Sequence, residues 1–521
     1  MTFLCGLFAS LALAAPQPGR GRLLVVVVID QLRDSDVLSA GEAAGAQGFA
    51  GLGRAVPMRY RTVGTETATN HATLATGAYA MVHGVIANEV FENGARRAVV
   101  DDPRCPVWGQ RPGRSAARML APTFADALKL ATAGRARVVS VSGKDRGALM
   151  LAGRSADLAL WIEPGAKGLV SSTCYASGPP PWLADLDARH PSSEWKDWVW
   201  TPSRPMEALV RMGARPPAAA ARHPMRELQG RDTLEDAVRG SPPGTTMTLR
   251  AADAAARALR LGELDHPDLL LISLSSLDYV GHRFGTFSWE RADQLLRIHD
   301  ELLSFLSGLD RRLGRDRVSV LLSSDHGVTV APEDAESLRV PTGRVRDDDV
   351  KSAVEGALLA AWPHAPVKRW VADFDPPMLR LAHVAELDAA EVARVAARAA
   401  ETVPGVAQAV AFPDVLREPD TSPLRHAFFP GRSGDVIVVP RPGWVSTGPV
   451  IMATTHRSPW SDDALVPFML RDARFRVRPE LSAGFEATRF APSAAAILGI
   501  GPPSAALEDP AIVPAPDKGL Q

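Results

Sequence analysis

The feature that most constrains the fold of this chain is a series of short, uninterrupted apolar runs, each bounded by turn residues. Because they lack the alternation of a half-exposed strand, such runs are typical of strands buried on both faces, as in a parallel sheet covered by helices. The runs occupy residues 23–29, 138–141, 269–274, 318–322 and 436–439.

Segments with helical periodicity lie between these runs, at residues 122–132, 246–261 and 288–313. Strands that alternate with helices in this way predict an α/β fold, a three-layer α/β/α sandwich with a mostly parallel central sheet.

Two stretches interrupt this alternation. Residues 154–241 are rich in Trp and Pro, and residues 331–432 contain a strand–helix–strand pattern of their own. We interpret both as insertions that form a cap on one core. The Trp-rich part, residues 182–200, fits ordinary packing better than a binding platform for glycans or partners. The predicted layout is a signal peptide (1–14), core (15–153), insertion (154–241), core (242–330), cap insertion (331–432) and core (433–521).

The N-terminal segment 3–15 is apolar, too short to span a bilayer, and ends in small residues before Pro16. It predicts a secretory signal cut after Ala14, and therefore a periplasmic or secreted protein without stable membrane insertion. Because no Lys or Arg precedes the apolar run, a frayed end of a cytosolic protein remains an alternative.

Cys5 would leave with the signal, while Cys105 and Cys174 either pair or are two unrelated buried residues.

Charge and cysteine content exclude several functional classes. The 58 Lys and Arg nearly balance the 59 Asp and Glu, so no overall field attracts nucleic acid or anionic lipid, and an anionic ligand must be held locally. Three cysteines in 521 residues exclude a disulfide-dense scaffold and a Cys-ligated zinc framework. We therefore expect neither a nucleic-acid partner nor a thiolate metal site.

Metal-ligand residue types follow the apolar runs. Ligands gather at the carboxyl ends of strands in open α/β sheets, so these segments should converge on one edge. Three aspartates and three imidazoles suit divalent cations, zinc first, and six ligands favour two metals about 4 Å apart over one tetrahedral ion. The candidates are Asp30, Asp278, His282, Asp325, His326 and His456. Each alone could be a cap, a turn residue or a structural histidine; their shared position at strand ends favours a metal site.

A nucleophile is suggested by the Thr-rich segment 64–79, which we expect to enter a short helix near His71. A hydroxyl at a helix start lies near free N–H groups, and a metal can lower its pKa enough for attack. The pattern leaves Thr65, Thr67 and Thr69 open, and a simple capping loop would look similar.

Two cations follow the second apolar run. In extended chain, Lys144 and Arg146 would point to the same side, which suits a doubly charged phosphoryl group. A solvated surface turn is the alternative for this pair considered alone.

Together these segments resemble the alkaline phosphatase superfamily, and within it the PafA-like phosphomonoesterases, which are related to the nucleotide pyrophosphatase/phosphodiesterases. The resemblance covers nearly the whole mature chain, through VVVVIDQLR, TATNHATLATGAYAMVHGVIANEVF, SGKDRGALMLAGRSADLALWIEP, LDYVGHRFG, SSDHG and THRSPW.

The resemblance implies Thr67 as nucleophile and Asn88, Lys144 and Arg146 as phosphate-oxygen donors, the Lys/Arg pair marking the monoesterases. It implies two zinc ions and no magnesium site. One zinc would be held by Asp30, Asp325, His326 and Thr67, and the other by Asp278, His282 and His456.

The function implied is hydrolysis of small phosphate monoesters through a phosphothreonine. A phosphodiesterase or nucleotide pyrophosphatase with the same metals is the main alternative. A sulfatase is disfavoured because no C/S-x-P-x-R segment is present, and an inactive phosphate-binding protein because every ligand position holds a competent residue.

Overall fold

The computed structural model describes residues 22–516 apart from 44–48, 93, 110–111, 167, 218, 336–338, 340 and 449–451. The predicted signal segment 1–14 lies outside the described residues.

The strands are, in chain order, β1 (Leu23–Ile29), β2 (Val56–Arg59), β3 (Glu89–Glu92), β4 (Ala95–Ala98), β5 (Asp101–Pro106), β6 (Gly113–Arg114), β7 (Val138–Ser142), β8 (Leu158–Ile162), β9 (Leu169–Val170), β10 (Val199–Trp200), β11 (His223–Pro224), β12 (Asp268–Leu274), β13 (Val318–Ser323), β14 (Gly343–Arg346), β15 (Val371–Asp375), β16 (Met378–Leu381), β17 (Val406–Ala411), β18 (Val436–Pro440), β19 (Trp444–Thr447), β20 (Leu465–Arg471), β21 (Phe475–Val477), β22 (Phe485–Glu486) and β23 (Ile512–Pro514).

The α-helices are α1 (Asp34–Ala43), α2 (Thr67–Thr76), α3 (Ala80–His83), α4 (Phe124–Ala131), α5 (Asp145–Ala152), α6 (Pro181–Arg189), α7 (Met206–Arg211), α8 (Met225–Gln229), α9 (Leu234–Arg239), α10 (Pro242–Ala258), α11 (Ser276–Phe284), α12 (Trp289–Leu313), α13 (Pro332–Ala335), α14 (Asp347–Ala361), α15 (Ala389–Ala400), α16 (Phe412–Val415), α17 (Pro423–Ala427), α18 (Ser461–Ala464) and α19 (Phe490–Leu498).

The central sheet contains nine strands in the order β22-β2-β20-β13-β1-β12-β7-β8-β9. β1 pairs in parallel with β12 and with β13, and β7 and β8 continue the parallel set. β20 runs antiparallel to β13, and β9 antiparallel to β8. The predicted mostly parallel sheet is therefore confirmed.

The two faces of this sheet carry separate hydrophobic cores. Leu23, Val25 and Val27 of β1 pack in the core that includes α10 and α12. Leu24 and Val26 pack in the core that includes α2, α4, α5 and α19. Alternate residues of one strand serve opposite layers, which explains its unbroken apolar run and confirms the three-layer sandwich.

The prediction that residues 436–439 form a strand of this central sheet is wrong. β18 belongs to a second, four-stranded antiparallel sheet of order β15-β16-β18-β17. Its Val436 and Val438 pack in one cluster, and Ile437 and Val439 in another. A strand buried on both faces is uniformly apolar in any sheet, so the pattern could not identify the sheet.

The first insertion also differs from its expected range, because β8 and β9 fall within residues 154–241 yet pair in the central sheet. We propose that this insertion begins after Val170 and that the cap insertion extends beyond Pro440.

Cys105 and Cys174 form a disulfide that joins β5 to the segment after β9. Among the described residues, no helix has the length and apolar character needed to cross a bilayer.

Candidate active site

The metal-ligand residue types that follow different strands meet at one edge of the central sheet. Parallel pairing aligns Ile29 of β1 with Leu274 of β12, and Val28 with Ser323 of β13. The residues that follow these strands therefore leave the sheet at the same level. They are Asp30 after β1, Asp278 and His282 on α11 after β12, and Asp325 and His326 after β13. His456 joins them from the loop before α18.

One group of three possible ligands is formed by Asp278, His282 and His456. The Oδ1 atom of Asp278 lies 3.0 Å from Nε2 of His282 and 3.6 Å from Nε2 of His456. Asp278 and His282 stand four residues apart on α11 and so share one helix face.

A second group combines Asp30, Asp278 and His326, and Asp278 is shared by the two groups. Asp30 Oδ1 lies 3.4 Å from Nε2 of His326. Asp325 borders this group, with its Oδ2 3.5 Å from the same nitrogen. The two groups are contiguous, because the rings of His326 and His456 stack with their centroids 3.6 Å apart.

The contacts of the three histidines favour the tautomer that a metal ligand needs. Each Nδ1 faces a carbonyl oxygen: His282 that of Thr454, His326 that of Gly327, and His456 that of Thr65. A carbonyl oxygen only accepts, so Nδ1 donates the proton and Nε2 keeps its lone pair for a cation.

The donor set fits a divalent cation. Among the described residues, Asp30 Oδ1, Asp325 Oδ2 and His326 Nε2 are buried without a hydrogen-bond partner. Buried polar atoms of this kind are costly unless they are satisfied. Three neighbouring carboxylates, those of Asp30, Asp278 and Asp325, also carry more negative charge than one lysine balances. A bound cation would satisfy both the atoms and the charge.

The pKa values reflect this crowding. Burial and then the neighbouring Asp325 carboxylate raise the pKa of Asp30 to about 7. Burial acts in the same direction on Asp278, but the facing His282 and Lys144 outweigh it and hold its pKa well below its usual range. Burial, followed by the proximity of His326, lowers the pKa of His456 to about 3, which keeps its imidazole neutral.

Thr67 is the first residue of α2, so the expected helix start near His71 is wrong. His71 instead stabilises the first turn, because its Nδ1 lies 2.8 Å from the carbonyl oxygen of Thr67. The same ring faces Asp325 Oδ2 at 3.3 Å and Ser273 Oγ at 2.9 Å. The Thr67 hydroxyl lies 3.3 Å from Nζ of Lys144, within the cluster. The geometry favours Thr67 among the three threonines that the sequence left open.

Asn88 lies beside the start of α2. Its backbone N–H donates to Oε2 of Glu66 at 2.8 Å, and its Oδ1 accepts from the backbone N–H of Ala68 at 2.9 Å. With the amide oxygen engaged, the Nδ2 hydrogens are the donors that remain for an anion.

Lys144 lies between the carboxylates. Its Nζ is 2.7 Å from Asp30 Oδ2 and 2.6 Å from Asp278 Oδ2. Arg146 lies in the first turn of α5, with its Nε lacking a hydrogen-bond partner among the described residues. The expected extended geometry of the pair is wrong, because Lys144 is the extended N-cap while Arg146 is already helical.

The sequence did not single out Gln31 or Glu66. Gln31 donates from Nε2 to Asp278 Oδ1 at 2.8 Å, and its N–H donates to Asp325 Oδ1 at 3.4 Å. Glu66 is fully buried beside Thr67. Their positions next to Asp30 and Thr67 were the available signal, but both residue types also occur in ordinary turns.

Residues 24–461 match the family described as type I phosphodiesterase / nucleotide pyrophosphatase. The chain is 30% identical to alkaline phosphatase PhoK of Sphingomonas, covering 94% of this chain and 90% of that protein. It is 27% identical to alkaline phosphatase PhoV of Synechococcus elongatus, covering 94% and 92%. The crystal structure of wild-type alkaline phosphatase PafA has the same fold, with a TM-score of 0.85 at 24% identity over 94% of this chain and 98% of that chain.

Proposed function

The chain belongs to the type I phosphodiesterase / nucleotide pyrophosphatase family, and we propose that it is a phosphomonoesterase that acts through a phosphothreonine at a two-zinc site. The observation that carries this proposal is the position of the Thr67 hydroxyl, at a helix start and 3.3 Å from the Lys144 ammonium, beside two contiguous groups of possible ligands.

In the proposed first step, the Thr67 hydroxyl gives up its proton and its Oγ1 attacks phosphorus in line with the leaving oxygen. The bond from phosphorus to the leaving oxygen breaks, phosphothreonine forms, and the leaving oxygen takes up a proton to depart as the alcohol. A water molecule then attacks the phosphothreonine from the side that the alcohol left, releasing phosphate and restoring the Thr67 hydroxyl. Throughout, Asn88 Nδ2, Lys144 and Arg146 would hold the non-bridging oxygens, so the residues act mainly by positioning and by compensating charge.

The zinc ions would be held by Asp30, Asp325, His326 and Thr67 on one side and by Asp278, His282 and His456 on the other. When bound, such ions supply positive charge that acidifies the attacking hydroxyl and offsets charge on the leaving oxygen.

Lys144 and Arg146 support a monoester over a diester substrate. A monoester dianion carries one more bare anionic oxygen than a diester, and two cations at the start of α5 would compensate it. We further propose a periplasmic or secreted location and small phosphorylated substrates. The Cys105–Cys174 disulfide supports that location, because disulfides persist mainly in oxidising compartments.

The test compares kcat/KM for an aryl phosphate and its methyl diester in zinc-replete enzyme. In the variant K144A/R146A, monoester kcat/KM should fall by at least about 100-fold, since donors to transition-state oxygens are lost. Diester kcat/KM should fall far less. The control K196A/R97A removes the same residue types from exposed positions and should leave both substrates unaffected. Equal losses on both substrates, or a wild-type preference for the diester, would favour the phosphodiesterase alternative.

A further inference from the structure

Arg457 has a backbone conformation that long side chains rarely adopt, directly after His456. Its φ is 95°, in the left-handed region. Such a conformation is strained in a residue other than glycine, and it persists only where surrounding contacts enforce it. The contacts of Arg457 therefore maintain this strained conformation.

The backbone of Arg457 is bonded to the loop that precedes the nucleophile. The N–H groups of Arg457 and Ser458 both donate to Oγ1 of Thr65, at 3.0 and 3.1 Å. The imidazole Nδ1 of His456 faces the carbonyl oxygen of the same threonine. The segment that carries His456 and the segment that leads to Thr67 are thus held together at Thr65.

The Arg457 side chain extends this connection to Glu66. Its Nε lies 3.5 Å from Oε1 of Glu66, a fully buried carboxylate whose Oε2 accepts from the N–H of Asn88. A buried carboxylate needs compensating charge. Arg457 provides it next to Thr67 as an ion pair, because Glu66 Oε1 has no hydrogen-bond partner among the described residues.

The far end of the same guanidinium reaches the four-stranded sheet of the cap. Its Nη1 lies 2.5 Å from Oδ1 of Asp375, the last residue of β15, and 3.1 Å from the carbonyl oxygen of Pro376. One side chain therefore spans from the start of α2 to the cap.

We propose that Arg457 is a positioning residue: by bridging Glu66 and Asp375, it fixes the His456 loop, the start of α2 and the cap sheet relative to one another. Its kinetic consequence rests on the proposed function, whereas its effect on metal binding does not. The extended guanidinium faces both carboxylates at once, donating a hydrogen bond to Asp375 and forming an ion pair with Glu66, whereas the ammonium of a lysine is a compact point charge.

The test uses R457G, R457K and D375N, with R260G as the matched control. Arg260 is an exposed arginine with φ of 52°, so its replacement by glycine relieves similar backbone strain far from the site. For each variant, zinc affinity is measured by competition with a chelator, and kcat and KM are measured with an aryl phosphate.

R457G should weaken zinc binding and lower kcat by about 10- to 100-fold, as expected for loss of a group that orients ligands. KM should change less. R457K should recover part of the loss, D375N should shift both quantities in the same direction, and R260G should match wild type. The double variant R457G/D375N should have the same zinc affinity and kcat as R457G, because both changes break the contact between Arg457 and Asp375.

Wild-type zinc affinity and kcat in R457G would overturn the proposal, as would additive effects in the double variant. If R457G does not fold, the zinc affinity of D375N tests the proposal, because loss of the contact between Arg457 and Asp375 should still weaken zinc binding. Wild-type zinc affinity in D375N would then overturn the proposal. If wild-type protein binds zinc but hydrolyses no aryl phosphate, the proposed function fails while the zinc comparison still tests Arg457.

Discussion

Lys144 is a buried lysine that lies between two carboxylates of the site. Its ammonium faces Asp30 and Asp278 at 2.7 and 2.6 Å. Burial alone would lower its pKa, but Asp278 and Asp30 outweigh burial and raise it, so the side chain stays charged. A permanent cation beside the Thr67 hydroxyl can compensate the negative charge of a phosphoryl group, which an apolar ligand does not require.

At this scale we predict that T67A abolishes phosphoenzyme formation, because alanine has no oxygen to attack phosphorus. The measurement is quenched labelling with a ³²P-labelled aryl phosphate, alongside steady-state turnover. T69A is the control, since Thr69 lies on the same helix two residues further on. Near-wild-type turnover in T67A would refute the assignment, and loss of labelling only in T69A would move it to Thr69.

At the scale of elements, the site depends on how helices are fixed to the sheet. α1 and α12 are joined by Asp36, whose carboxylate binds Arg291 at 2.7 Å and Arg33 at 2.7 Å. Arg291 also donates to the carbonyl oxygen of Gln31 at 3.0 Å. Because Gln31 donates to Asp278 and Asp325, this buried ion pair helps to position those two carboxylates.

We predict that D36N lowers the free energy of unfolding at pH 7 by about 3–5 kcal/mol, since it strands Arg291 as a buried charge. Burial raises the pKa of Asp36, but Arg291 and Arg33 outweigh it and hold that pKa well below its usual range. A depressed folded-state pKa stabilises the protein above the unfolded value of about 4 and loses that contribution as the pH falls. Urea unfolding should therefore show a difference in the free energy of unfolding between D36N and wild type, and this difference should become smaller as the pH falls below about 4.

The control for this comparison is D348N, which changes an exposed aspartate in the first turn of α14. It should change stability by no more than about 0.5 kcal/mol. A difference in the free energy of unfolding between D36N and wild type that does not change with pH would contradict the ionic explanation.

The disulfide connects two elements far apart in the chain, with Cys105 and Cys174 separated by 69 residues. Closing a loop of this size restricts the unfolded chain and contributes about 4 kcal/mol in the entropic model. We predict that a reductant lowers the Tm of wild type, and that C105A/C174A has a lowered Tm that no longer responds to reductant. An unchanged wild-type Tm under full reduction would count against this contribution.

At the scale of the whole molecule, the sheet edge collects candidate ligand residues from chain segments up to several hundred residues apart, with Asp30 and His456 at the extremes. Folding brings three carboxylates together in a buried space that one lysine does not neutralise. Like charges held in this way oppose folding, so a bound cation should act as a stabilising ligand of the native state.

We predict that removing metal with dipicolinate lowers Tm and abolishes hydrolysis, and that zinc restores both. Metal at a thousandfold excess over its Kd contributes about 4 kcal/mol. D278N, tested in the same titration, should lose most of the zinc-dependent rise in Tm because Asp278 belongs to both groups of possible ligands. Identical Tm values with and without zinc would contradict a structural contribution of the metal.

The layered architecture and the order of the segments that carry the candidate ligands follow from the amino-acid sequence. An unbroken apolar run such as that of β1 reports burial on both faces, and residues directly after parallel strands must emerge at one edge. Asp30, Asp278 and Asp325 could therefore be grouped from the sequence alone, and the family resemblance, which the family match confirms, added Thr67, Asn88, Lys144 and Arg146 as expectations.

Which strands pair with each other, and which side chains come into contact, depends on the tertiary structure. An apolar pattern encodes burial but not the neighbouring strand, so β18 joined the cap sheet instead of the central one. Residues such as Gln31, Glu66 and Arg457 look like ordinary turn residues, because their contacts come from segments remote in sequence. The pairing of Cys105 with Cys174 and the helix start at Thr67 also depend on such remote contacts, which local chain chemistry does not specify.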